Sequence, residues 1–98
     1  MLAESRGKLA KKLFAAADQY RKMGIYESAI IYFNLVLERY FDSAYALESQ
    51  FYLAECYEKI KQNQKAIEAY QTFVEKYPRH RLSVKASQRI KELNKKTN

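Results

Sequence analysis

A thiol, an imidazole and a close pair of carboxylates are the first places to look in this sequence for covalent or proton-transfer chemistry. Cys56 is the single cysteine and His80 the single histidine. A cysteine nucleophile needs a base within reach and a third group to orient that base. No Asp or Asn stands near His80 at a spacing that would hold its ring, and the stretch "YLAECYEKI" around Cys56 is helical in character. A cysteine there reads as a small buried apolar residue. Glu55 and Glu58, three apart on the same stretch, have the spacing of helix-surface ion pairing rather than of an acid–base couple. No cluster of metal-ligand spacing and no glycine-rich phosphate loop is present. The lone cysteine also rules out an internal disulfide framework and leaves the compartment open. The expectation is a protein that is not an enzyme, with no cofactor and no metal site.

Charge supplies the next candidates. The formal net charge is +7, and the basic excess lies in "RGKLAKK" and "RHRLSVKASQRIKELNKK" while the middle is nearly balanced. Basic helices attract phosphates whatever the sequence, which allows weak, salt-sensitive adsorption to nucleic acid or an anionic membrane surface. No base-reading motif accompanies them, so no specific nucleic acid is expected. No apolar run is long enough for a membrane span. The opening "MLAESRGKLAKKLF" lacks the apolar core of a signal peptide.

The elements that carry these residues are helices written twice. Glycine and proline are nearly absent, a composition that favours helix and an all-α fold with short connections. A shift of 37 residues lays Phe14 on Phe51, Ala17 on Ala54, Tyr20 on Tyr57 and Lys22 on Lys59; it then lays Ala29 on Ala66, Ile30 on Ile67, Phe33 on Tyr70, Glu38 on Glu75 and Tyr40 on Tyr77. Each unit reads as two helices: Leu13, Ala16, Ala17 and Tyr20 on the first, then Ala29, Ile30, Phe33, Val36, Leu37 and Tyr40 on the second. Gly24 suits a left-handed helix stop, and Asp42 or Ser43 suits the cap of the helix that follows. The second unit repeats the plan through Leu53, Ala54, Tyr57, Ile60, a polar "KQNQ" turn and Ala66 to Tyr77, closed by Pro78. One helical hairpin cannot bury its own apolar face, and a second stacked on it can.

Small-x-x-Tyr on the first helix, Ala-Ile-x-x-Phe/Tyr on the second and the terminal proline resemble the tetratricopeptide repeat over roughly residues 10–78. The 37-residue period, against about 34 for the common form, together with "EKYPRHRLSVKASQRI", is most similar to the bacterial envelope subgroup of BamD-like and CpoB-like proteins. Phe41 departs from that pattern where a proline would stand, and no lipoprotein cysteine is present. The resemblance implies a right-handed α-solenoid of five helices in a single domain over 1–98: repeat 1 at about 10–41, repeat 2 at about 47–78, and a capping helix at about 80–95. The cap follows from the failure of the repeat: Lys91 and Asn94 stand where small and aromatic residues would continue it, leaving the single stripe Leu82, Ala86, Ile90 and Leu93.

The resemblance also implies a concave groove, lined by the first helix of each hairpin, that holds a peptide or partner protein. The matching positions are Lys11, Phe14, Asp18, Arg21 and Lys22, then Glu48, Phe51, Tyr52, Glu55 and Lys59, then Lys85, Gln88 and Arg89. Phe14 and Phe51 read either as groove anchors or as packing between first helices. Lys85 and Arg89 resemble part of a carboxylate clamp, but Phe14, Asp18 and Tyr52 fill its other positions without a cation or amide, so Lys85 and Arg89 read as solvated. Ile31 and Leu35 form an extra apolar strip where the sister helix has Glu68 and Thr72. That strip either rests on the N-terminal segment around Leu2 and Leu9, or belongs against a preceding repeat, or is a homodimer or partner surface. The function expected is a non-catalytic scaffold for protein binding, part of an envelope assembly factor and periplasmic if the subgroup holds, otherwise cytoplasmic. The alternatives are a structural, self-associating or engineered module without a dedicated ligand, and a weak basic nucleic-acid-binding helical protein.

Overall fold

The computed structural model describes residues 2–97, with side chains described for residues 6–96. Five helices follow in order: α1 Leu2–Lys22, α2 Tyr26–Arg39, α3 Ala46–Lys59, α4 Asn63–Lys76 and α5 Arg81–Thr97. Each packs chiefly on its neighbours in sequence, α1 on α2, α2 on α3, α3 on α4 and α4 on α5. The envelope is 49 × 30 × 18 Å. Its thinnest dimension admits two layers of helices, each about 10 Å across. The even-numbered helices sit between odd-numbered ones, as an α-solenoid requires. No strand occurs among the described residues.

The core follows the 37-residue register. Ala17, Ala29, Ala54 and Ala66 are fully buried, which lets the paired helices approach closely. One cluster joins Ala17, Ala29, Ile30 and Phe33 to Leu53 and Cys56 across α1, α2 and α3. The other joins Phe51, Ala54, Ile67, Tyr70 and Phe73 to Ala86 and Leu93 across α3, α4 and α5. Tyr52 and Tyr57 pack against both. The two clusters therefore share α3 as a common wall, and α5 closes the second cluster with Leu82, Ala86, Ile90 and Leu93 while Lys91 stays exposed.

The turns repeat as faithfully as the helices. Gly24 adopts a φ of 80°. Its N–H donates to the Arg21 carbonyl, and that of Ile25 to the Tyr20 carbonyl, the paired bonds of a Schellman stop. Lys61, one repeat later, has a φ of 67°, and the same two bonds run from Lys61 to Glu58 and from Gln62 to Tyr57. The junctions between units match too. The Ser43 N–H donates to the Tyr40 carbonyl and the His80 N–H to that of Tyr77.

One expectation is corrected here. Neither Asp42 nor Ser43 is the cap of α3: that position falls on Tyr45, without a side-chain bond. Ser43 instead accepts at Oγ from the Tyr45 N–H at 3.3 Å, a side-chain bond that closes the turn leading into α3. His80 does the same through Nδ1, which accepts from the Leu82 N–H at 3.1 Å. Asp42 faces back to α1 and pairs with Arg6 at 2.8 Å.

Candidate partner-binding groove

The odd-numbered helices bring residues of α1, α3 and α5 side by side. On α1, Asp18 accepts at Oδ1 from Arg21 Nη2 at 2.6 Å and from Nε at 3.0 Å. Lys22 Nζ lies 3.2 Å from its other oxygen. Burial alone would push the Asp18 carboxyl up; the bonds from Arg21 and Lys22 outweigh that and hold it below the usual carboxylate range. So anchored, the Arg21 guanidinium reaches across to α3 and lies 4.0 Å from the centre of the Tyr52 ring. A cation over an aromatic face is attracted by the ring quadrupole, so the pair ties α1 to α3 on the open side of the layer.

Tyr52 is half-buried and contacts Phe14, Phe33 and Phe51, with ring centres 6.4, 5.9 and 6.3 Å away. One helical turn on, Glu55 is also half-buried. Burial raises its carboxyl above the usual value, with Lys85 of α5 and Arg21 of α1 pulling the other way. Glu55 thus sits between cations supplied by both neighbouring helices, in no salt bridge with either. Lys85 Nζ lies 5.8 Å from the Phe51 ring centre. Arg21, Glu55 and Lys59 line a cleft of about 170 Å³ together with Tyr26 and Cys56, below the ~300 Å³ of small-molecule pockets. Such a cleft admits one side chain of a larger ligand.

Other candidate positions are placed differently. Phe51 is 2% exposed and packs edge-on to Tyr70 and Phe73; it takes the packing role, because α5 covers it. Phe14 is half-buried against Phe33 and Tyr45. Lys11 borders a separate cleft of about 810 Å³ with Arg6, Tyr40, Asp42 and Tyr45. Lys22, Glu48, Lys59, Lys85 and Gln88 are exposed. Arg89 is not solvated and free: it forms an ion pair with Glu58, and Tyr70 donates to the same carboxylate at 3.0 Å. Sequence reasoning missed this bracket because its partners lie 31 and 12 residues from Glu58 with no periodic relation. It also missed Tyr45, which joins Phe14 from a turn rather than from a repeat position. Cys56 is fully buried and burial pushes its thiol up to about 12, the state of an inert packing residue.

Two hairpins in one register, each turned by the same helix stop and lined on one side by its first helix, are the signature of a repeat array. The sequence pattern of the tetratricopeptide repeat matches residues 13–43 and again residues 48–80. The chain belongs to the tetratricopeptide repeat family. None of the curated proteins matches it. Tetratricopeptide repeats in general mediate protein–protein interaction and are non-catalytic scaffolds. No helix among the described residues is long and apolar enough to cross a membrane.

Proposed function

We propose that this tetratricopeptide repeat protein is a non-catalytic scaffold that holds a segment of a partner protein across α1, α3 and α5. The observation that carries the reading is the row Asp18–Arg21–Tyr52–Glu55–Lys85. An aromatic face and a partly desolvated, unbridged carboxylate lie between cations from adjacent helices. A half-buried carboxylate without a bonded partner is costly to the fold, and a partner offering a donor or cation would relieve that cost. Aromatic and arginine side chains at the centre of such a surface are the usual anchors of binding energy.

The test is partner recovery by wild type and by a Glu55→Lys/Lys85→Glu variant, whose side chains lie outside the buried core. Loss of partner with helicity and unfolding midpoint retained supports the groove; equal recovery refutes it. The Tyr77–Pro78 junction and the 37-residue period, which resemble the bacterial envelope subgroup, support an assembly role in that compartment. It predicts a lipoprotein or export signal in the parent gene and co-fractionation with the envelope; recovery in the cytosol would overturn it.

A further inference from the structure

The N-terminal end of the stack carries a second surface, unrelated to the groove. In the inner part of the stack, α3 presents Ala46, Ser49, Gln50, Leu53 and Cys56, all buried, with Tyr57 and Ile60 half-buried. Leu53 and Cys56 there pack with Ala29, Ile30 and Phe33 of α2. The same register on α1 is Leu9, Lys12, Leu13, Ala16, Gln19, Tyr20 and Met23, and none of these is buried. Leu9 is 49% and Met23 60% exposed.

A cleft shows how α2 and α4 flank that inner face: Asn34 and Leu37 stand on one side, Gln50, Leu53 and Tyr57 at α3, and Glu68, Ala69 and Thr72 on the other. Moved back one repeat, the α3 and α4 positions become Leu13, Ala16, Tyr20, Ile31, Tyr32 and Leu35. Three residues polar on the inner face, Gln50, Glu68 and Thr72, are thus leucine or isoleucine on the outer one, at Leu13, Ile31 and Leu35. Tyr20 and Tyr32 stack at 5.6 Å and 17° within it. Ile31 is 60% exposed, so Leu9 does not shield it, and the side chain of Leu2 lies outside the described residues.

We propose that this face pairs with the same face of a second copy of the chain. The charges at its margins choose the occupant. Glu27 and Glu38 bracket Ile31 and Leu35 along α2, whereas α1 carries Lys8 and Lys12 beside Leu9 and Leu13. All four are exposed. A two-fold axis that lays α1 of one copy over α2 of the other sets lysine against glutamate on both sides and buries the leucine and isoleucine strip between them. One surface with an acidic edge and a basic edge is complementary to itself.

The test is sedimentation equilibrium of the whole chain from low micromolar to the highest soluble concentration. Physiological salt screens the repulsion between two +7 copies. Wild type is expected to rise to twice the monomer mass. The variant Leu13→Gln/Ile31→Glu/Leu35→Thr carries the residues that the second repeat tolerates at these positions; it is expected to stay monomeric with an unchanged helical spectrum. Wild type that remains monomeric throughout, leaving the face to a preceding hairpin or a foreign helix, overturns the proposal. So does a folded variant that dimerises as wild type does.

Discussion

Removing the arginine that fastens the last helix is the most informative perturbation of the fold. Arg89 of α5 pairs with Glu58 of α3, and Tyr70 of α4 donates to the same carboxylate, so one anion holds three helices. The Arg89 and Glu58 side chains are 30% and 21% exposed, between an exposed pair worth ~0.2–1 kcal/mol and a buried one whose breakage costs ~3–5 kcal/mol. Arg89→Met is therefore expected to cost about 1–2 kcal/mol. For a domain of this size that lowers the thermal midpoint by roughly 4–16 °C. A double-mutant cycle with Glu58→Gln, read by circular dichroism, should return a coupling of about 1 kcal/mol. The pH dependence gives an independent check. Burial would raise the Glu58 carboxyl, but the bonds from Arg89 and Tyr70 outweigh it and lower the folded value below the unfolded one. Its contribution is then complete above the ordinary carboxylate range and is lost as pH falls through the folded value. The gap between wild type and Glu58→Gln should therefore be full near neutrality and close in acid. Additive single variants, or a gap that persists in acid, would refute the bracket.

Further expectations concern the turns, the groove and the thiol. Gly24→Ala should cost about 1 kcal/mol, because a Cβ there meets no neighbour and only the left-handed backbone objects; Lys61→Gly, at the matching stop, should gain about 0.5–1 kcal/mol by chemical denaturation. Glu55 behaves oppositely to Glu58. Burial raises its folded value above the unfolded one, so its favourable contribution exists in acid and is lost as pH rises; Glu55→Gln should raise the midpoint at neutral pH while weakening the partner complex. Cys56 should resist thiol reagents at neutral pH in the folded protein and react at the rate of unfolding, which a timed labelling experiment would show. Phe73→Ala, at a fully buried site, should cost ~3–5 kcal/mol and abolish the cooperative melt.

What the sequence revealed was whatever repeats. Buried alanines at 17, 29, 54 and 66 and the aromatics beside them recur at one spacing, so helix number, pairing and cap were legible from composition and register. The left-handed Gly24 was legible as well, since its residue type declares its backbone. Lys61 was not, because a lysine in that conformation is imposed by the turn and carries no mark of its own. The places of side chains along α1, α3 and α5 were legible, but their environments were not. Phe51 is closed over by the next helix, and Arg89 is drawn into a bracket whose members no local pattern connects. Burial and pairing of that kind depend on how neighbouring units stack, which side-chain spacing within one helix does not encode.

The groove itself is most directly tested by placing a photo-crosslinking residue at Tyr52 or Lys85, and for comparison at Gln71 on the exposed side of α4, in the cells that make the protein. Partner adducts from the first two sites and none from the third are the predicted result. Adducts that form equally at Gln71, or only there, would show that α1, α3 and α5 are not the surface this repeat array uses.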